Sequence, residues 1–194
     1  MKRGFTIVEL LIVIGITVIL LSFGFSSYNR AAERQLILFR EQNKIISALD
    51  KAKYLAFSTF GQEQAPCDYG VHLEASNNTI IIFKELPILG NDCASINNVY
   101  TPPGGPFGPP GGPFGPPGGP IGGDEIVETI KLDQAVRFNN LILNDIVFIP
   151  PAPQIIINGD LSIQSASAEI TDSGGATVSS ITITKNGQIT AQMH

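Results

Sequence analysis

The stretch from Lys2 to Phe25 constrains this chain more than any other. Two cations and Gly4 precede an apolar run from Phe5 to Phe25, which a single ionisable side chain, Glu9, interrupts. As a helix rising about 1.5 Å per residue, that run spans about 31 Å, the thickness of a bilayer's hydrocarbon core. The sequence therefore predicts a membrane-spanning helix over 5–25. Lys2 and Arg3 ahead of it put the N-terminus in the cytoplasm and the remainder of the chain outside. An ordinary secretory signal fits poorly, because the charged region is very short and no small-x-small cleavage site closes the apolar core. A carboxylate near the centre of a membrane helix costs about 2.5–3.5 kcal/mol, and less near its end, so Glu9 calls for a reason.

The run Lys2-Arg3-Gly4-Phe5-Thr6-Ile7-Val8-Glu9-Leu10-Leu11 resembles the leader of type IV prepilins. The resemblance implies that a dedicated peptidase cuts between Gly4 and Phe5, that the new N-terminal Phe5 is N-methylated, and that Glu9 becomes the fifth residue of the mature chain. Cleavage creates an α-ammonium at Phe5 in the membrane that holds the Glu9 carboxylate, so two lone charges acquire a pairing. By resemblance, Glu9 meets the N-terminal amine of a neighbouring subunit and sets axial register. The implied partners are homologous pilin or pseudopilin subunits, the prepilin peptidase/methyltransferase, the inner membrane, and a secretion or pilus assembly machinery. The implied location is the bacterial inner membrane, crossed once with the head outside the cytoplasm, and afterwards a periplasmic pseudopilus or a cell-surface pilus.

Beyond Phe25 no proline occurs before Pro66, and no glycine between Gly24 and Gly61. Leu38, Ile45, Leu49, Ala52 and Ala56 form one stripe of a 3.6-residue period, with Arg34, Glu41, Lys44 and Lys51 assigned to other faces. The expected organisation is a leader at 1–4, a transmembrane or filament-core helix at 5–25, an amphipathic continuation at 26–60, and a β-rich head at 61–194, with two separate helices broken near Ser26-Ser27 as the alternative to one continuous helix.

In the head, Tyr69 to Glu74 and Thr79 to Phe83 flank Asn77-Asn78 and read as a hairpin. Cys67 precedes it and Cys93 follows it. Both lie on the side of the membrane where oxidation occurs, so the pair is either a disulfide across the hairpin's open end or two free thiols. Residues 102–123 repeat Pro-Pro-Gly-Gly-Pro-Phe-Gly from Pro102 and Pro109, with Ile121 replacing phenylalanine in the third copy. The seven-residue period does not fit a collagen helix, and the composition predicts a solvated loop. Further strands are expected over Glu125–Leu132, 136–138, Asp145–Ile149, Gln154–Asn158, 161–163, Ser180–Thr184 and 189–191, with an Asn186-Gly187 turn before the last.

Six to nine strands after a long helix predict an α+β, pilin-like fold, in which that N-terminal helix packs on an antiparallel head. The series Tyr69-Gly70-Val71, then Val147-Phe148-Ile149-Pro150, then Ile181-Thr182-Ile183-Thr184-Lys185-Asn186-Gly187-Gln188-Ile189 resembles GspH-type minor pseudopilins of type II secretion. The Gly/Pro insertion departs from that family.

Nothing in the sequence points to an enzyme. His72 and His194 lack motif partners, the cysteines lack zinc-site spacing, and the glycine pairs lie outside any strand-to-helix phosphate loop. No cofactor or metal is therefore expected. Asp172-Ser173-Gly174 and Asn158-Gly159-Asp160 read as turns that also carry calcium-type oxygens. A formal net charge of −5 disfavours nucleic acid. The alternative function, a competence-type pilin that binds DNA for uptake, would have to draw on Lys84, Lys131, Arg137 and Lys185, the cations of the head.

Overall fold

The computed structural model describes residues 6–60, 67–85, 93, 96, 98–103, 124–151, 154–175 and 177–194, with the side chains of 23–31 excluded. The leader residues 1–4, Phe5, and residues 104–123 of the repeat lie outside the described residues. Helical backbone runs over Ile7–Thr59, yet the chain divides within it into two compact units, Met1–Ile37 and Leu38–His194.

This division corrects the expected fold. The described residues hold two short helical pieces, 7–22 and 32–59, and nine strands in two antiparallel sheets, so the chain is mostly β. It is not one long N-terminal helix packed on a head. The helical period read from the sequence, Leu38 to Ala56, lies wholly within the second unit, and the two pieces match the alternative of two separate helices. Among the described residues, the first buried side chain is Leu38.

From there the helix is held by its stripe. Leu38, Ile45, Leu49, Ala52 and Ala56 are all buried, as the spacing predicts, and Ala48 is buried with them. Two polar residues join them. Gln42 is buried and accepts a 2.9 Å hydrogen bond from the Ser179 hydroxyl. Glu41, expected on an outer face, is fully buried. Its Oε1 accepts Arg40 Nε at 2.9 Å, and its Oε2 accepts Lys44 Nζ at 2.7 Å and the Asp133 backbone N–H at 3.0 Å. Burial alone would raise this carboxyl's pKa, but the bonds from Lys44, Asp133 and Arg40 outweigh it and hold it below the usual range.

The first sheet has the order β3-β2-β1-β5-β6, built from β1 (Asp68–Glu74), β2 (Thr79–Glu85), β3 (Glu125–Lys131), β5 (Asp145–Ile149) and β6 (Gln154–Ile157). The hairpin forms as expected: β1 pairs with β2 from Asp68↔Glu85 to Glu74↔Thr79, and Asn78 takes the left-handed φ of 53° in its turn. Alternation and register put Val71, Leu73, Ile80, Ile82, Ile146 and Ile157 on one face. The opposite face carries Phe83, Val147 and Ile156, against which Tyr100 and Ile149 pack.

The second sheet, β4-β7-β8-β9, comprises β4 (Val136–Leu141), β7 (Ser165–Asp172), β8 (Val178–Thr184) and β9 (Ile189–Met193). Two expectations are corrected here. Residues 161–163 lie outside any strand, because Asp160 Oδ1 accepts the Ser162 N–H at 2.7 Å and turns the chain. β7, which was not foreseen, supplies the central pairing instead; its inward residues Ala166 and Ala168 are small and give only a weak apolar alternation.

Two substitutions test this packing. At Gly70 an added Cβ would lie 2.3 Å from Phe83 Cζ and 2.9 Å from the Ile146 carbonyl oxygen. Gly70→Ala should therefore destabilise the head by about 1–3 kcal/mol in urea denaturation. Glu41→Ala should cost about 1–3 kcal/mol in the same assay, because it strips the half-buried Asp133 amide of its acceptor while Arg40 and Lys44 regain water.

Candidate functional site

The N-terminal unit offers one candidate site, the helical piece 7–22. Thr6 caps it: the Thr6 hydroxyl accepts the Glu9 N–H at 3.3 Å, and the Thr6 carbonyl accepts the Leu10 N–H at 3.2 Å. The sequence signature was Thr6-x-x-Glu9, the pattern of a capping box, and the expectations above missed it. Glu9 thus stands in the first turn, where a carboxylate complements the positive end of the helix dipole.

Its described apolar side chains are uncovered by the rest of the unit. Ile7 is 80% exposed, and Leu10, Leu11, Ile12, Val13, Ile14, Ile16 and Val18 to Leu21 are more than half exposed. The two hydroxyls satisfy themselves internally, Thr17 on the Val13 carbonyl at 2.7 Å and Ser22 on the Val18 carbonyl at 2.8 Å. No helix among the described residues is long and apolar enough to cross a membrane. The expected cleavage site, Gly4 and Phe5, lies outside the described residues.

In the head, Cys67 and Cys93 are bridged, with Cα atoms 5.4 Å apart. This settles the alternative left open by the sequence. The bridge closes the β1–β2 hairpin at its open end, where the Cys67 N–H also donates to the Glu85 carbonyl at 3.0 Å. In the chain-entropy account a loop of this length stabilises by about 3–4 kcal/mol. A cavity of about 540 Å³ opens beside it, lined by Phe60, Tyr69, Ile149, Ile156 and Leu161, with Asp68 in its wall.

Next to the bridge, the hairpin register sets two acids opposite each other, Asp68 on β1 and Glu85 on β2. Both are buried, and so are Asp124 ahead of β3 and Asp145 at the start of β5. Burial pushes Asp68 up to about 7. It pushes Glu85 to about 8, helped by the charges of Asp124 and Asp68, while the amides of Asn98 and Val99 pull the other way. Asp124 rises to about 6, again through burial, against a 2.6 Å hydrogen bond from the Thr101 N–H. The pairing was legible, since a hairpin turning at 75–78 sets Asp68 against Glu85.

His72 Nδ1 lies 2.8 Å from Asp145 Oδ1, and its ring lies 4.8 Å from that of Tyr100. Asp145 Oδ1 also accepts the Tyr100 N–H at 3.1 Å. The two calcium-type turns spend oxygens locally: Asn158 Oδ1 accepts the amides of Asn144 and Asp145, Asp160 Oδ1 accepts Ser162, and Asp172 Oδ1 accepts Thr177. Among the described residues, no group of three or more His, Cys, Asp and Glu side chains is arranged to hold a metal ion. Compared with family profiles, curated proteins and solved structures, the chain matches none.

The raised carboxyls make stability depend on pH. Asp68, Glu85 and Asp124 keep their protons to higher pH in the folded head than at their ordinary values of 3.8 and 4.5. Between about pH 4 and pH 8 the folded state therefore binds more protons than the unfolded chain, and stability falls as pH rises through that window. Urea midpoints should be lower at pH 8.5 than at pH 5.5, and Glu85→Gln should reduce the difference.

Proposed function

We propose that this chain is a structural filament subunit. The N-terminal segment stores it in a bacterial inner membrane, prepilin peptidase cuts it after Gly4 and methylates Phe5, and it then assembles with homologous subunits. The filament is a type II secretion pseudopilus or a type IV pilus, with a minor pseudopilin the reading favoured by the closing strands. The subunit acts by packing and carries out no catalysis.

One observation carries this reading. Over 7–22 the apolar side chains are exposed, the hydroxyls of Thr17 and Ser22 are turned back onto their own helix, and Glu9 alone brings a charge. Such a surface is costly in water, at about 25 cal/mol per Å² of apolar area, and is stable against lipid tails or against like helices. The leader-like run Lys2 to Leu11 supports the first environment before cleavage and the second after it. In the second, Glu9 pairs with the ammonium of Phe5 on a neighbouring subunit. The head meets neighbouring subunits outside the membrane. DNA capture draws less support, since two of the head's four cations are engaged: Lys84 with Glu125 at 2.9 Å and Lys185 with the Leu161 carbonyl at 2.6 Å.

Peptide mass spectrometry of membrane-extracted protein, from cells with and without prepilin peptidase, tests the reading. A mature chain beginning at methylated Phe5 only in the presence of the peptidase is expected. An N-terminus at Met1 in both strains would overturn it.

A further inference from the structure

The cavity of about 540 Å³ beside the Cys67–Cys93 bridge lies wholly within the second unit, Leu38–His194. Its lining is mostly apolar. Tyr69, Ile149 and Ile156 line it from β1, β5 and β6, and Phe60 and Leu161, at its rim, are 55% and 57% exposed. Large apolar residues left in solvent beside a hollow of this size mark a place that another molecule covers.

Asp68, in the same wall, is a buried acid with nothing to meet. It is 2% exposed, and among the described residues neither a hydrogen bond nor a cation reaches its carboxyl. The hairpin register sets Glu85 directly opposite, and like charges that face each other across a ladder repel. The helical backbone Ile7–Thr59 also ends here, with Ala56 and Thr59 in the lining and no basic residue in its last turn. The negative end of the helix dipole therefore adds to the same potential. Lysines of the same unit are engaged elsewhere: Lys84 with Glu125 at 2.9 Å, Lys53 with the Gly187 carbonyl at 3.4 Å, and Lys185 with the Leu161 carbonyl at 2.6 Å. A wall of this kind selects by charge. An anion is repelled, a neutral apolar molecule gains burial alone, and an apolar molecule with a cationic head gains burial together with a charge-assisted hydrogen bond.

We propose that this cavity binds an organic cation, an ammonium or guanidinium carried on an apolar body, with the body against Phe60, Ile149, Ile156 and Leu161 and the charged head on the Asp68 carboxylate. Such a head comes from a free amine or from a lysine or arginine side chain of another polypeptide, and the chemistry of recognition is the same for both. Bound there, it supplies the partner that the buried carboxyl lacks.

Methyl NMR on the full chain in a non-ionic detergent tests the site, at about pH 8 so that the Asp68 carboxyl is largely ionised. Three probes share one apolar body: phenylbutylamine, phenylbutanol and phenylbutyrate. Saturable shifts at Ile149, Ile156 and Leu161 are expected with the amine, with affinity about tenfold or more lower for the alcohol and lowest for the acid, while Ile170 in β7 stays unmoved. Asp68→Asn should bring the amine down to the affinity of the alcohol and leave the alcohol unchanged. Leu161→Arg, at an exposed position that accommodates charge, should weaken the amine and strengthen the acid by placing a cation at the rim. Acetyl-Phe-Arg-amide presents the head as a side chain: binding tighter than the free amine assigns the site to a basic segment of a protein partner, and weaker binding assigns it to a free amine. Equal affinity for amine and alcohol would overturn the proposal. Undiminished binding of the amine by Asp68→Asn would do the same, as would shifts at Ile170 as large as those at Ile156.

Discussion

The head depends on one helical stripe that two sheets share. Leu38, Ile45, Leu49, Ala52 and Ala56 supply its apolar contacts, and the polar residues alongside tie the helix to both sheets. Gln42 reaches Ser179 on β8, whereas Lys51 pairs with Glu128 on β3 at 2.5 Å. Arg40 reaches Asp133, between β3 of the first sheet and β4 of the second, at 2.7 Å. A stripe that alternates leucine and isoleucine with alanine also lets the backbone approach closely on its C-terminal half.

The placement of Glu41 follows from the same constraint. A helix that lies against two surfaces buries a wider arc than one that lies against a single sheet, and the residue next to the stripe is drawn inside. Its charge survives there because Lys44 and Arg40 bring their own charges from the rim and the Asp133 amide comes from the turn. Asp68 and Glu85 show the opposite case: among the described residues no cation pairs with them, and burial raises their pKa values.

Several features of the head were readable because they are local. Asn77-Asn78 between two alternating runs specifies a hairpin, and the cysteines flank that hairpin so that its closure brings them together. The stripe was readable from periodicity alone. What escaped depends on partners distant in sequence. Glu41 looks like any exposed acid on a helix until the second surface is known, and β7 alternates serine with alanine, which carries little apolar contrast. The division of the helical stretch does have a local signature, the weak helix formers Gly24, Ser26 and Ser27, at which the sequence offers two separate helices as an alternative. At the N-terminal piece, the capping pair Thr6 and Glu9 was fully legible, and the exposure of the apolar residues that follow was implied by their unbroken run.

The bond pair between Thr101 and Asp124 has a consequence for how this chain tolerates change. It fastens the entry of the Gly/Pro insertion to its exit, so the head sees a closed stem whatever lies between. For a flexible loop, the entropy of closure grows only logarithmically, by about 0.6 kcal/mol for each doubling in length. Gain or loss of a whole seven-residue copy, the kind of change that slippage in a repetitive gene produces, leaves the register of every strand untouched. The stem makes the insertion a length-neutral site, where repeat number can drift without reaching the fold.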